Sequence, residues 1–221
     1  MRRKIDLRIG AYQFAVGSSI TDNFHAVCRG IEDAASQNIR LLVFPECALT
    51  GYPPRDIKSA VDVNFEELDA VYREIEKMSK KSNMYILVRI CFEVRYPEYF
   101  RELYHENTVL NIILFYDVAD SDDIERYELI KSHIRTRAVE NVTYTMSVNS
   151  IRPYQTAPTG IFDKSGRTIN ELKRNNLVIY DFKNIADDFG EKGRRSISDV
   201  LTKKIRIRGT FRKGMGGKIS V

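Results

Sequence analysis

The feature that most constrains this fold is a repeated alternation of short apolar runs with amphipathic helical stretches. Ile5, Leu7 and Ile9 alternate as a half-buried strand does, and the run continues toward Phe14. Thr21 or Asp22 is placed to cap a helix with Phe24, Val27, Cys28, Ile31, Ala34 and Ala35 on one face, closed by Asn38. Residues 40–44 form a short apolar strand that enters Pro45, Glu46 and a Gly/Pro-rich turn. Asn64, with Glu67 three residues on, starts a second helix whose expected core face is Phe65, Leu68, Val71, Tyr72, Ile75 and Met78. Apolar strands follow at 84–90 and 109–116, with Pro97 at the first turn of a helix between them and Phe100, Leu103 and Tyr104 inward. Asp122 or Asp123 opens a long helix through Glu140, with Ile124, Tyr127, Ile130, Ile134 and Ala138 in register. Strands at 143–148 and 177–182 flank a hairpin whose turn is Lys164-Ser-Gly-Arg167. Strands alternating with helices predict an α/β domain.

The chain has 221 residues, 43% of them hydrophobic and 29% charged, which suits one globular domain with a sizeable core. No apolar run reaches the roughly 18–20 residues of a membrane span, and the start lacks the continuous apolar stretch of a secretory signal. The three cysteines show no metal-ligand or disulfide spacing, so neither a zinc site nor a disulfide scaffold is expected, and a reducing cytoplasm is the simplest location. Net charge is +5, yet Leu201 to Val221 alone holds seven basic residues and no acid, so the rest is slightly acidic. The division is therefore a domain over 1–200 and a basic tail over 201–221, more often a solvated end than a polyanion site. Phe211 is the only aromatic in that tail, and nucleic acid is not an expected partner. Lys213-Gly-Met-Gly-Gly-Lys218 fails as a phosphate loop, because Arg212 stands where the first Gly is needed and Ile219 where Ser or Thr is needed.

Chemistry is sought where apolar strands end, since ligands gather there in α/β folds. Glu46 follows one such strand; it is either a general base or a surface residue closing a turn. Cys91 ends another, as a nucleophile or as a small buried hydrophobe. Cys28 fits the buried role on its helix face, and Cys47 is expected to point away from Glu46. His25, His105 and His133 lie in helices among charged residues, and nothing local supports a Cys91–His133 pair.

Three segments carry a resemblance. Phe44-Pro-Glu-Cys-Ala-Leu-Thr-Gly-Tyr-Pro-Pro54 resembles the first motif of the nitrilase superfamily, the carbon–nitrogen hydrolases. Arg89-Ile-Cys-Phe-Glu-Val-Arg-Tyr-Pro-Glu98 resembles the nucleophile motif, and Arg135-Thr-Arg-Ala-Val-Glu-Asn141 a third recurring block. Leu49 to Asp56 is also similar to the glutaminase domain of glutamine-dependent NAD synthetases, within the same superfamily. The resemblance implies an α-β-β-α sandwich, a homodimer, an amide or nitrile substrate, and no metal or organic cofactor. It implies Cys91 as nucleophile through a thioester, Glu46 as general base and the Phe92 N–H as oxyanion donor. Arg95 and Glu98 would support the nucleophile turn, with Arg137 and Glu140 from the third block.

The family's Glu–Lys–Cys triad is incomplete here. A few tens of residues that carry the catalytic Lys in the family are missing between Val88 and Arg89, and Lys58, Lys80, Lys81 and Lys131 do not stand in its context. Loss of one oxyanion donor costs roughly 100- to 1,000-fold in turnover. The expectation is a sandwich reduced by loss of central strands, with impaired amidase activity; the alternative is a non-catalytic pseudoenzyme that binds or regulates.

Overall fold

A computed structural model of the chain describes residues 6–87, 92–95, 97, 100, 108–151, 154–172, 176–183, 192, 193 and 196. Ten strands are described: β1 (Asp6–Tyr12), β2 (Leu41–Val43), β3 (Tyr85–Leu87), β4 (Leu110–Phe115), β5 (Val118–Ala119), β6 (Tyr144–Asn149), β7 (Tyr154–Gln155), β8 (Gly160–Phe162), β9 (Thr168–Glu171) and β10 (Leu177–Lys183). The helices used below are α1 (Ile20–Ser36), α2 (Phe65–Ser82) and α3 (Ile124–Asn141). Two four-stranded sheets run in the orders β10-β1-β2-β3 and β4-β6-β8-β9. β1, β2 and β3 are mutually parallel, as are β4 and β6, while β10, β8 and β9 pair antiparallel.

The sheets pack face to face. Ile9, Ala11 and Val43 of the first join Leu114, Met146, Val148 and Ile161 of the second in one buried cluster. The outer face of the first sheet is covered by α1 and α2, through Tyr12, Phe14, Leu42 and Phe44 against Val27, Ile31, Leu68 and Val71. The outer face of the second is covered by α3, through Ile113, Phe115 and Phe162 against Ile130, Ile134 and Ala138. Strand alternation explains the split: along β4, Leu114 faces the other sheet while Ile113 and Phe115 face the helix. Each large side chain so buried contributes about 1.5–3 kcal/mol. The result is the expected helix–sheet–sheet–helix sandwich. Among the described residues the first sheet ends at β3, where the chain runs on toward 88–91.

Several local expectations are met by specific chemistry. Asn64 caps α2, accepting from the Glu67 N–H, and Asp123 caps α3 through the Arg126 N–H. Gly166, at φ +74°, turns the β8–β9 hairpin, where an L side chain is strained. Pro97 and Phe100 are helical and Phe100 is buried, whereas Leu103 and Tyr104 lie outside the described residues.

Other expectations are corrected. The α1 cap is Ser19, which accepts from the Asp22 N–H, and not Thr21 or Asp22. The buried face of α1 is turned toward Asn23, Ala26 and Gly30, leaving Cys28 half-buried. Gly30 permits this turn, since a Cβ there would lie 2.8 Å from the Phe44 and Tyr12 rings. On α2, Phe65 is 62% exposed and Tyr72 is also exposed, so the core stripe narrows to Leu68, Val71 and Ile75. Ile124 is exposed as well, at the first residue of α3, ahead of the span that the sheet reaches. The tail at 201–221 lies outside the described residues.

Candidate active site

The C-terminal ends of β1, β2, β4 and β6 gather at one end of the sandwich. Past β1, the Phe14 carbonyl accepts from Ile151 N–H at 3.3 Å and from the Ser150 hydroxyl at 3.2 Å, tying the first sheet to the end of β6. Past β2, the Glu46 N–H donates to the Phe115 carbonyl at the end of β4, at 3.3 Å. Buried Asn149, at the end of β6, clasps Asp117: its Oδ1 accepts from the Asp117 N–H at 2.9 Å and its Nδ2 donates to the Asp117 carbonyl at 2.7 Å. The same Nδ2 donates to the Ala157 carbonyl at 2.9 Å.

Glu46 is buried, on a loop with a defined shape. Cys47 follows it at φ +54°, and the Gly51 N–H closes the turn onto the Cys47 carbonyl at 3.0 Å. Gly51 itself sits at φ +78°, and a Cβ there would come within 2.6 Å of the Gly17 carbonyl oxygen. The loop then locks on Asp56, whose carboxylate accepts from the Tyr52 N–H while its own N–H donates to the Tyr52 carbonyl. The Tyr52 ring stacks on Tyr116, with centroids 4.9 Å apart and planes 4° from parallel.

Cys91 and Glu98 lie outside the described residues, and Phe92 is described as the first residue of a 3-10 turn through Arg95. That turn is held by α3. The Arg137 guanidinium, 5% exposed, donates from Nε to the Val94 carbonyl at 2.9 Å, pairs with Glu140 and lies 6.0 Å from the Phe100 ring centre. Val94 is buried in the cluster that contains Phe115, Ile130 and Ile134. Phe115 thus has two links: its carbonyl takes the Glu46 N–H, and its ring shares a core with the turn that follows Cys91.

The other thiols are set apart by their surroundings. Burial, then the Glu46 charge, pushes the half-buried Cys47 thiol up to about 11. Cys28, expected to be buried, is half-buried, with Sγ 3.7 Å from the Met78 sulfur; burial and Glu32 raise it above the ordinary thiol value. Burial, with the Arg137 and Arg95 guanidinia, holds His133 below the usual imidazole range. His105 lies outside the described residues. Among the lysines, Lys77 and Lys80 pair with Glu74 and Glu76 on the outside of α2, and Lys131 pairs with Glu171. The Asn149 clasp carries no local sequence signal, because its partners at 117 and 157 are distant in the chain. No helix among the described residues is long and apolar enough to cross a membrane.

Residues 8–90 match the profile of the carbon–nitrogen hydrolase family. No curated protein matches the sequence. Among solved structures, an amidase from Nesterenkonia sp. is similar at a TM-score of 0.68 and 16% identity, covering 90% of this chain and 98% of that one. A cysteine-to-alanine mutant of the Nesterenkonia sp. AN1 amidase in complex with butyramide gives a TM-score of 0.68 at 15% identity, covering 89% of this chain and 97% of that one. A glutamate-to-glutamine mutant of the same amidase, showing covalent addition of the acetamide moiety of fluoroacetamide at the active-site cysteine, gives 0.67 at 15% identity, with 80% and 90% covered. That amidase is described as belonging to the nitrilase superfamily. The chain therefore has the fold of the nitrilase superfamily, with residues 8–90 matching its carbon–nitrogen hydrolase family.

Proposed function

We propose that this chain is an amidase-type carbon–nitrogen hydrolase with Cys91 as nucleophile and Glu46 as general base, turning over slowly because the family's catalytic Lys is missing. The observation that carries this reading is the parallel pairing of β2 and β3, with Val43 opposite Leu87. Glu46 stands three residues beyond Val43, and Cys91 four beyond Leu87. The shared link through Phe115 to Glu46 and to Val94 supports the same convergence.

In the reaction, Glu46 takes the thiol proton and the thiolate attacks the amide carbon. Glu46 then protonates the leaving ammonia as the tetrahedral intermediate collapses to a thioester. Water, deprotonated by Glu46, attacks the thioester and returns the acid and the free thiol. The Phe92 N–H serves the oxyanion, without the ammonium that would share it. Arg137, with Glu140 as its ion-pair partner, holds the 92–95 turn through Val94; by the resemblance to the family, Arg95 and Glu98 would support the same turn.

The reading assigns 1–200 to the hydrolase domain, 201–221 to a basic tail, and the protein to the cytoplasm as a homodimer. Exposed Ile124 and Leu129 on α3 give such a dimer apolar surface to bury.

The test is ammonia release from butyramide and glutamine, with Cys91→Ala and Glu46→Gln as controls. A family-like Lys hairpin inserted between Val88 and Arg89 should raise the rate by about 100-fold or more. Release that survives Cys91→Ala refutes the nucleophile assignment. No release even with the hairpin restored favours the non-catalytic binding role.

A further inference from the structure

Beside the Tyr52–Tyr116 stack lies a cleft of about 390 Å³, lined by Tyr52, Pro54, Arg55, Tyr116, Val118 and Arg126. Among the described residues, its charged lining is two guanidinia and no acid. One comes from the loop after β2, the other from the first turn of α3. The cleft adjoins the Glu46 loop, because Tyr116 directly follows the Phe115 carbonyl that takes the Glu46 N–H, one residue step of about 3.8 Å along the chain.

The two arginines are held differently. Arg126 pairs through Nη2 with Asp117 at 2.7 Å; the Asp117 side chain is 12% exposed and also accepts from the Thr156 hydroxyl. Asn149 grips the Asp117 backbone as well, so this pair is a fixed support that aims Arg126. Arg55 pairs through Nη2 with Asp120, whose side chain is 90% exposed. Such solvated pairs hold weakly, so Asp120 is a carboxylate that another carboxylate can replace. Planar forks with several N–H donors suit bidentate carboxylate binding, and the stacked tyrosines supply an apolar wall for methylene groups.

We propose that this cleft is a carboxylate-binding subsite in which a ligand carboxylate displaces Asp120 and bridges Arg55 and Arg126. Resting on the amidase reading above, this makes the substrate class the monoamide of a short dicarboxylic acid, its carboxylate at the arginines and its amide toward Glu46.

The test separates binding from turnover. Glutarate, which has no cleavable bond, is titrated into the full chain by calorimetry beside neutral glutaramide. Glutarate should bind tighter and weaken with added salt. Arg126→Gln and Arg55→Gln should each weaken it about tenfold or more. Asp120→Asn should tighten it several-fold, an effect opposite to that of a merely damaged fold. Equal affinity for glutarate and glutaramide, or glutarate binding unmoved in all three variants, overturns the subsite. Arginine-dependent glutarate binding in a chain that releases no ammonia keeps the subsite and removes the amidase reading. Ammonia release from butyramide without any glutarate binding does the reverse.

Discussion

Replacing Arg137 with Met keeps the length and most of the volume of the side chain but removes its charge. The Val94 carbonyl, in a buried cluster, then loses its donor at 2.9 Å. A hydrogen bond from a charged group is worth about 1.5–3 kcal/mol, and the orphaned carbonyl carries its desolvation cost. The contact with Phe100 adds about 0.5–1 kcal/mol. Glu140 is 26% exposed on its side chain, so solvent offsets part of its lost partner and its share is discounted. The sum is a destabilisation of about 3 kcal/mol, or a fall of roughly 6–12 °C in Tm for a domain of this size. Arg137→Lys should recover only part, since one ammonium does not span the Val94 carbonyl and the Glu140 carboxylate as the fork does. Calorimetric melting measures the first effect, and the rate of Cys91 alkylation reports whether the 92–95 turn has been released. A loss below 1 kcal/mol with unchanged alkylation would refute the claim that Arg137 anchors this turn.

Gly51→Ala should cost about 2 kcal/mol or more, because φ +78° and the 2.6 Å approach to the Gly17 carbonyl both resist a Cβ; an unchanged melting curve would contradict this. Cys47, with its thiol raised to about 11, has about one part in a thousand as thiolate at pH 8 and should alkylate slowest of the three in a limiting iodoacetamide experiment, with Cys91 fastest. His133 has its folded value below the unfolded one, so it contributes stability that is full above about pH 6.5 and is lost as pH falls through the lower folded value. His133→Gln should flatten the decline in stability between pH 7 and 5; an identical decline would exclude the contribution. Asn149→Asp removes the donor to the Asp117 and Ala157 carbonyls and places a second carboxylate beside Asp117, which should lower Tm by at least as much as Arg137→Met.

Much of the architecture is local in origin and was legible for that reason. The Asn64 and Asp123 caps, the Gly166 turn and the alternation along β1 depend on neighbours a few residues away. The position of Glu46 just past a strand was legible because an apolar run leads into it. The helix faces were less legible. Phe65, Tyr72 and Ile124 fit an apolar stripe by periodicity, yet each stands outside the area that the opposing layer covers. Hydrophobicity says that a side chain gains by burial; it does not say where the neighbouring layer stops.

The sequence by itself determined the α/β order and the strand-end position of Glu46, because periodicity and capping are written along the chain. Only the tertiary structure decided that Phe115 links the Glu46 loop to the turn around Val94, that Asn149 fastens Asp117, and that Arg55 and Arg126 face one cleft. Those pairs lie tens of residues apart. Their meeting follows from β2 and β4 ending at the same end of two packed sheets, a consequence of strand order and register that no local pattern of residues encodes.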